Sequence, residues 1–314
     1  MVSQGRNTLS LFPPWTYRGS VNLARIRSLA RALSALALAS VARADTPSPP
    51  AGLGASSAGA FKPGPPEAAA RYASGAWVPL WSDEFSQGPA PSATRWSYEK
   101  GRLRNHEAQY YAADRRENAR VEDGQLVITG RREEWKSAGY TSASLTTRGK
   151  FSFTYGKVEI RARIPTGRGT WPALWLLPES ATDRWPHGGE IDLMENVGWD
   201  PTTIHFTVHT GAFNHVLKTQ RSKAVVLDRP WADFHRYGMI WTHERIEFFL
   251  DGEKVSEFAN DGLGREHWPF DSPMYLIVNL ALGGDWGGRQ GIDDGIFPAE
   301  FRIDYVRVWR APSK

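Results

Sequence analysis

Residues Gly188 to Asn196 read GGEIDLMEN and hold three carboxylates, Glu190, Asp192 and Glu195, interleaved with Ile191, Leu193 and Met194. Paired acids can cut a glycosidic bond by double displacement when a nucleophile and an acid/base stand roughly 5–5.5 Å apart. Side chains alternate along a strand, so Glu190 and Asp192 share one face while Ile191 and Leu193 enter a core. Strict alternation places Met194, not Glu195, on the acidic face. One extra residue near Leu193–Met194, a β-bulge, returns Glu195 to the side of Glu190, and bulges often re-aim side chains beside active sites. A solvated acidic strand face is the other reading. Like charges on neighbouring same-face sites repel, and strands are depleted in Asp and Glu, but the spacing alone leaves both readings open.

The elements that must hold these acids are strands. From Trp77 to Trp309 the pattern is almost entirely extended: GQLVITG (124–130), KVEIRAR (157–163), TIHFTVHT (203–210), RIEFFL (245–250), MYLIVNL (274–280) and FRIDYVRVW (301–309). In KVEIRAR, Val158, Ile160 and Ala162 alternate with Lys157, Glu159, Arg161 and Arg163, as in a strand with one buried face. Asp251-Gly252 between RIEFFL and EKVSEF predicts a two-residue hairpin turn. Helical periodicity is weak, with at most a turn near Ala112–Glu117 or Gly262–Glu266. Many short strands joined by Gly- and Pro-rich turns indicate a β-sandwich, with no internal repeat and no second domain.

The formal charge of +4 over 314 residues misleads about partners. Six of the 38 basic residues (Arg6, Arg18, Arg25, Arg27, Arg31 and Arg43) lie in residues 1–44, which contain no acid; 32 basic residues then face 34 acidic ones. No basic patch remains to argue for nucleic acid. Cysteine is absent, which excludes disulfides, a thiol nucleophile and a Cys-based zinc site. The 14 Trp exceed what a core needs, and exposed indoles suit a carbohydrate groove. Arg25–Arg31, the apolar run Ala32–Val41 and Ala42-Arg43-Ala44 form the three regions of a secretory signal peptide ending before Asp45. Its apolar run is too short to span a bilayer, so no membrane insertion is expected after cleavage. The domain reading is therefore a signal peptide with an N-terminal extension over 1–44, a disordered Pro/Ala/Gly/Ser linker over 45–75, and a catalytic domain over 76–311.

With WPALWLLP (171–178), RENARVEDGQLVI (116–128), YTSASLTTRGKFSFTYGKVEIRARIP (140–165), WPFDSPMYLIVNLALGGDW (268–286) and IDYVRVW (303–309), the GGEIDLMEN stretch resembles glycoside hydrolase family 16. Within it, the chain is most similar to the laminarinase-like endo-β-1,3-glucanases. The resemblance covers roughly residues 77–310. It implies an all-β fold, a β-jelly-roll sandwich of two curved antiparallel sheets with an open substrate cleft. It also implies Glu190 as nucleophile, Glu195 as acid/base and Asp192 between them holding the proton arrangement. Crowded carboxylates push one another's pKa upward, which suits a protonated Glu195 acting as general acid. The bulged spacing resembles laminarinases, agarases and carrageenases rather than lichenases or xyloglucan transglycosylases.

The same resemblance implies a set of sugar-facing residues. Among His205, Thr207 and His209, which share a face of TIHFTVHT, His209 matches a family segment that lines the catalytic subsite. A structural histidine is the alternative, and a zinc site lacks an evident third ligand. Trp171 and Trp175 match the family's W-P-A-x-W stacking wall, with a core role as the alternative, and Trp286 falls in a Gly-rich loop at the cleft rim. Asn105 and Glu107 match an N-N-E-x-Q-Y-Y loop. There His106 replaces an Asn, and Arg102-Leu103-Arg104 replaces a Gly/Trp-rich stretch. Arg148 matches a sugar contact near the cleavage point or is a surface charge. Glu84, the Gly124 carbonyl and Asp304 resemble the oxygen ligands of a structural calcium; no cofactor is expected for catalysis. The expected protein is a secreted or periplasmic monomer, a retaining endo-glucanase on β-1,3-glucan. Mixed-linkage glucan, a galactan or transglycosylation are the enzyme alternatives, and a glucan-recognition protein the other class.

Overall fold

A computed structural model describes Tyr72, residues 76–180 and residues 182–311. The expected signal peptide, and all of the expected linker except Tyr72, lie outside the described residues. In chain order the strands are β1 (Val78–Asp83), β2 (Ser97–Tyr98), β3 (Gln109–Tyr111), β4 (Ala119–Glu122), β5 (Gln125–Trp135), β6 (Ala138–Ser142), β7 (Ser144–Thr146), β8 (Gly156–Arg163) and β9 (Thr170–Pro178). They continue with β10 (Glu190–Val197), β11 (Asp200–His209), β12 (Arg221–Val226), β13 (His235–Trp241), β14 (Arg245–Leu250), β15 (Glu253–Ala259), β16 (Met274–Leu282) and β17 (Ala299–Arg310). They form two sheets. The seven-stranded one runs β12-β11-β10-β9-β16-β7-β2; the ten-stranded one runs β15-β14-β13-β8-β17-β5-β6-β3, with β1 on β17 and β4 on β5. Pairing is antiparallel except between β3 and β6.

The alternation read from sequence builds the core between the sheets. Leu174, Leu176, Ile191, Leu276 and Val278 from the seven-stranded sheet meet Ile128, Val158, Ile160, Met239, Phe301 and Ile303 from the other. Burying aliphatic side chains of this size stabilises by about 1.5–3 kcal/mol each, which holds the two layers face to face. Residues of opposite parity on β9 and β16, among them Trp171, Ala173, Trp175, Tyr275, Ile277 and Ala281, form separate clusters on the other face of the sheet. That face carries the acids. The hairpin at Asp251-Gly252 forms with positive φ at both residues, 53° and 92°, and Leu250 pairs with Glu253 across it.

Two expectations change. The turns form where expected, with the Asn118 and Ala119 N–H donating to the Arg115 carbonyl and the His267 and Trp268 N–H to that of Gly264; short helices also lie at Gly284–Gly287, where the glycines at 283, 284, 287 and 288 permit the tight backbone, and at Asp294–Ile296. Lys157 and Glu159, expected on a solvated face, are buried. The Lys157 ammonium donates to the Tyr72 carbonyl at 2.7 Å, and Glu159 accepts the Tyr305 hydroxyl at 2.8 Å. Tyr72 itself is buried, stacks on Phe249 with ring centroids 4.4 Å apart, and lies within the segment read as linker. The folded body therefore reaches back at least to Tyr72. Its ring fills a notch that exists because residue 238 is glycine: a Cβ there would stand 2.0 Å from the Tyr72 hydroxyl oxygen.

Candidate active site

The strand β10 is in extended register with β11 at Glu190↔His209, Ile191↔Val208 and Asp192↔Thr207, and then slips before Glu195↔His205. Against β9 the same slip falls between Asp192↔Trp175 and Met194↔Leu174. This is the bulge predicted near Leu193–Met194. Leu193 and Met194 both enter the core, and Glu195 comes back to the side of Glu190 and Asp192. Gly189 fixes where the strand begins. Its φ is +83°, and a Cβ would approach the Phe270 ring to 2.7 Å.

Among the described residues, no arginine or lysine forms an ion pair with the three acids. His209 is their cationisable neighbour: its Nε2 stands 3.4 Å from Asp192 Oδ2 and 3.8 Å from Glu190 Oε1. Burial, then the Asp192 charge, drives the Glu190 pKa well above the ordinary carboxylate range, opposed by His209 and Arg104. Burial and the Glu195 charge do the same to Asp192, opposed by a hydrogen bond with Glu190. Glu195 is raised by burial and held back by the indole N–H of Trp171, which donates to its Oε1 at 3.0 Å. Such a cluster keeps a proton at a pH where isolated carboxyls have lost theirs.

Trp171 is thus a positioning group for Glu195 as well as part of the wall. Its ring meets the edge of Trp286 at 5.5 Å, and Trp286 meets His205 at 5.0 Å. His205, the strand partner of Glu195, has its pKa lowered by burial to about 4 and is neutral at pH 7. Trp286 lies in the Gly284–Gly287 turn, where its carbonyl accepts the indole N–H of Trp199 at 2.8 Å.

Like Trp171, which is 9 % exposed, Trp175 lies on the acid-bearing side of β9 and is buried, 8 % exposed. Its N–H donates to Asn279 Oδ1 at 2.7 Å, and the Arg104 guanidinium covers its ring at 4.9 Å. Asn105 has φ 53°, its carbonyl accepts from the Asp285 backbone N–H, and its side-chain amide reaches Glu107 at 3.4 Å. It stitches the 101–107 loop to the turn that carries Trp286. His106 reinforces that seam through Asp285 at 3.0 Å. Arg148 is exposed at the edge of the same face, over the Tyr275 ring at 5.4 Å.

Two residues were not singled out from sequence. Trp185 is 37 % exposed, 4.8 Å from the His215 ring and 6.0 Å from that of His209. With His215 it forms an aromatic corner beside His209. The available signal was an indole in the short run directly before the acids. The zinc argument also changes, since His209 gains the third donor that the histidine pair lacked. Ligand-type atoms of Glu190, Asp192 and His209 lie within 4.8 Å of one another, while His205 turns to Trp286. Closeness of this kind serves equally to share a proton. The calcium set lies on the ten-stranded sheet. Glu84 is held by Arg307 at 2.8 and 2.9 Å, Asp304 by Arg161 at 2.5 Å, and Gly124 sits at φ 71° in the turn from β4 to β5. No helix among the described residues is long and apolar enough to cross a membrane.

Comparison with known proteins agrees with this geometry. The profile of Glycosyl hydrolases family 16 matches residues 106–307. A beta-glucanase of Rhodothermus marinus is 49% identical over 244 residues, covering 74% of this chain and 85% of its own length. A glucan endo-1,3-beta-glucosidase of Cryptopygus antarcticus is 36% identical, covering 76% and 94%. The X-ray structure of the Rhodothermus marinus laminarinase superposes with a TM-score of 0.73 at 48% identity, over 76% of this chain and 98% of that one. The fold, the bulged acid strand and these likenesses lead to one statement: the chain belongs to glycoside hydrolase family 16.

Proposed function

We propose that the protein is a retaining endo-glucanase that hydrolyses β-1,3-linked glucan. The observation that carries this reading is the bulge in β10, which puts Glu190 and Glu195 on one wall with Asp192 between them. Glu190 attacks the anomeric carbon while Glu195, protonated because burial raises its pKa, gives its proton to the departing sugar oxygen. The carboxylate formed on Glu195 is the form that the Trp171 N–H favours. It then takes a proton from water, which attacks the glycosyl ester on Glu190 and releases a product of unchanged anomeric configuration. Asp192, between the two glutamates, helps hold the proton arrangement. The β-1,3 linkage is inferred from the named relatives, and mixed-linkage glucan is the nearest alternative.

Proton NMR of laminarin during early turnover tests this. The β-anomer of the new reducing end is expected first, with the α-anomer appearing only by mutarotation; α first would reject the retaining mechanism. Turnover of agarose without turnover of laminarin would reject the substrate. Secretion is inferred from the leader alone, and a mature protein beginning at Asp45 is its test. The expected calcium ligands fit poorly as they stand, because the carboxylates of Glu84 and Asp304 are already matched by guanidinium groups. A calcium there competes with Arg307 for Glu84, and no chemical step depends on it.

A further inference from the structure

Glu190 and His209 face each other directly across the β10–β11 pairing, and Asp192 follows on the same face. Two paired strands therefore hold one imidazole and two carboxylates in fixed relation, with no loop involved. His209 Nε2 stands 3.4 Å from Asp192 Oδ2 and 3.8 Å from Glu190 Oε1, and donor atoms of all three residues fall within 4.8 Å of one another. Zinc bonds of about 2.0–2.2 Å arranged as a tetrahedron set neighbouring donors about 3.3–3.6 Å apart, so the first separation already fits and the second has only to close slightly. A second observation points to a cation. The Asp192 side chain is 3% exposed, yet its Oδ2, the oxygen nearest His209, is buried with no hydrogen-bond partner among the described residues. A carboxylate oxygen shut away from water costs free energy unless a donor or a cation reaches it.

We propose that Glu190, Asp192 and His209 form an inhibitory site for a zinc-class divalent cation, which competes with glucan for the same wall. Three donors with one position left open is the arrangement zinc adopts when a water completes its shell. Copper(II) suits an imidazole and carboxylate set too, and more tightly. Calcium takes roughly six to eight oxygens and magnesium a near-ideal octahedron, so neither is served by three donors of which one is nitrogen. His209 Nδ1 is buried without a partner, so the imidazole lacks the outer hydrogen bond that tightens a histidine ligand, and the affinity is micromolar rather than nanomolar. A cation held here occupies the Glu190 carboxylate and blocks its attack. That consequence rests on Glu190 being the nucleophile; the binding site does not.

The protein, dialysed free of metal, is titrated with Zn²⁺ by calorimetry, and with Co²⁺ while visible absorption is recorded. One saturable site is expected, with a cobalt band that zinc displaces. His209→Phe and Asp192→Ala, their fold checked by circular dichroism, should each weaken Zn²⁺ by at least about tenfold, since outer-shell partners alone are worth about 10–100-fold. His187→Gln removes half of an exposed His187–Glu266 pair 2.9 Å apart and should leave the affinity unchanged. Glu195→Gln keeps all three donors, and laminarin should raise its apparent Kd for Zn²⁺. In the parent, Zn²⁺ should raise the KM for laminarin and leave kcat unchanged, while Ca²⁺ and Mg²⁺ do neither. No saturable binding below about 1 mM, undiminished binding in His209→Phe or Asp192→Ala, loss of binding in His187→Gln, or indifference to laminarin in Glu195→Gln overturns the proposal. If Glu190→Gln retains turnover, the nucleophile assignment has failed, and the calorimetry still decides the site.

Discussion

The two sheets hold carboxylates under opposite electrostatic conditions. On the ten-stranded sheet several acids meet a guanidinium: Arg120 and Arg302 bracket Glu122 and Glu300, and Arg115 grips Glu133. The Arg115 hydrogen bond holds the Glu133 pKa down at about 2, and Arg120 lowers that of Glu122. On the seven-stranded sheet buried Asp192 stands beside half-buried Glu190 and Glu195, and all three are pushed up. Residue type is the same and the environment decides the role. Matched acids stabilise, whereas mutually crowded acids hold a proton for transfer at some expense to the fold.

The contrast breaks most visibly at the acid wall. Glu190→Gln or Glu195→Gln is expected to lower kcat on laminarin by at least about 10³-fold with the fold intact, measured by reducing-end release and circular dichroism. Trp171→Phe keeps the ring and removes the N–H that favours ionised Glu195. Its kcat is expected to fall about 10–100-fold. The basic limb of its pH profile should move upward, because the general acid then holds its proton to higher pH.

Asp192→Asn sharpens the comparison by separating activity from stability. A carboxyl whose folded-state pKa is raised contributes stability below its unfolded pKa and loses it as pH rises through the raised value. At pH 7 the asparagine variant should therefore be the more stable protein, by about 2–4 °C in Tm if relief of the crowding is worth about 1 kcal/mol. It should also be much less active. The sign reverses on the other sheet. Arg115→Met should lower Tm at pH 7, and the difference from the parent should close as pH falls toward 2 and Glu133 takes its proton. This pair is half-buried near the surface, so its effect is small. Smallest of all, EDTA against added calcium should leave turnover unchanged and shift Tm by no more than about 1 °C, given the occupied carboxylates.

Sequence pattern carried the acids, the bulge and the hairpin because each is local: alternation with a period of two fails at one place in GGEIDLMEN, and one extra residue repairs it. The strands were legible for the same reason. What lay beyond reach were contacts made across the chain. Nothing near Trp175 in sequence announces that Arg104, 71 positions earlier, covers its ring. Nor does the Pro/Ala/Gly/Ser composition around Tyr72 show that Gly238 leaves a notch for it. The corner formed by Trp185 and His215 depends on two loops meeting beside β11, and neither loop has a periodic pattern.

Chemical rescue assigns the two glutamates most directly. Azide is supplied to Glu195→Ala acting on an activated aryl β-laminaribioside, and the anomeric configuration of the product is read by NMR. The account predicts a β-glycosyl azide from this variant, formed through the ester on Glu190, and an α-glycosyl azide from Glu190→Ala. An α-product from Glu195→Ala would exchange the roles of the two acids and contradict the arrangement derived for β10.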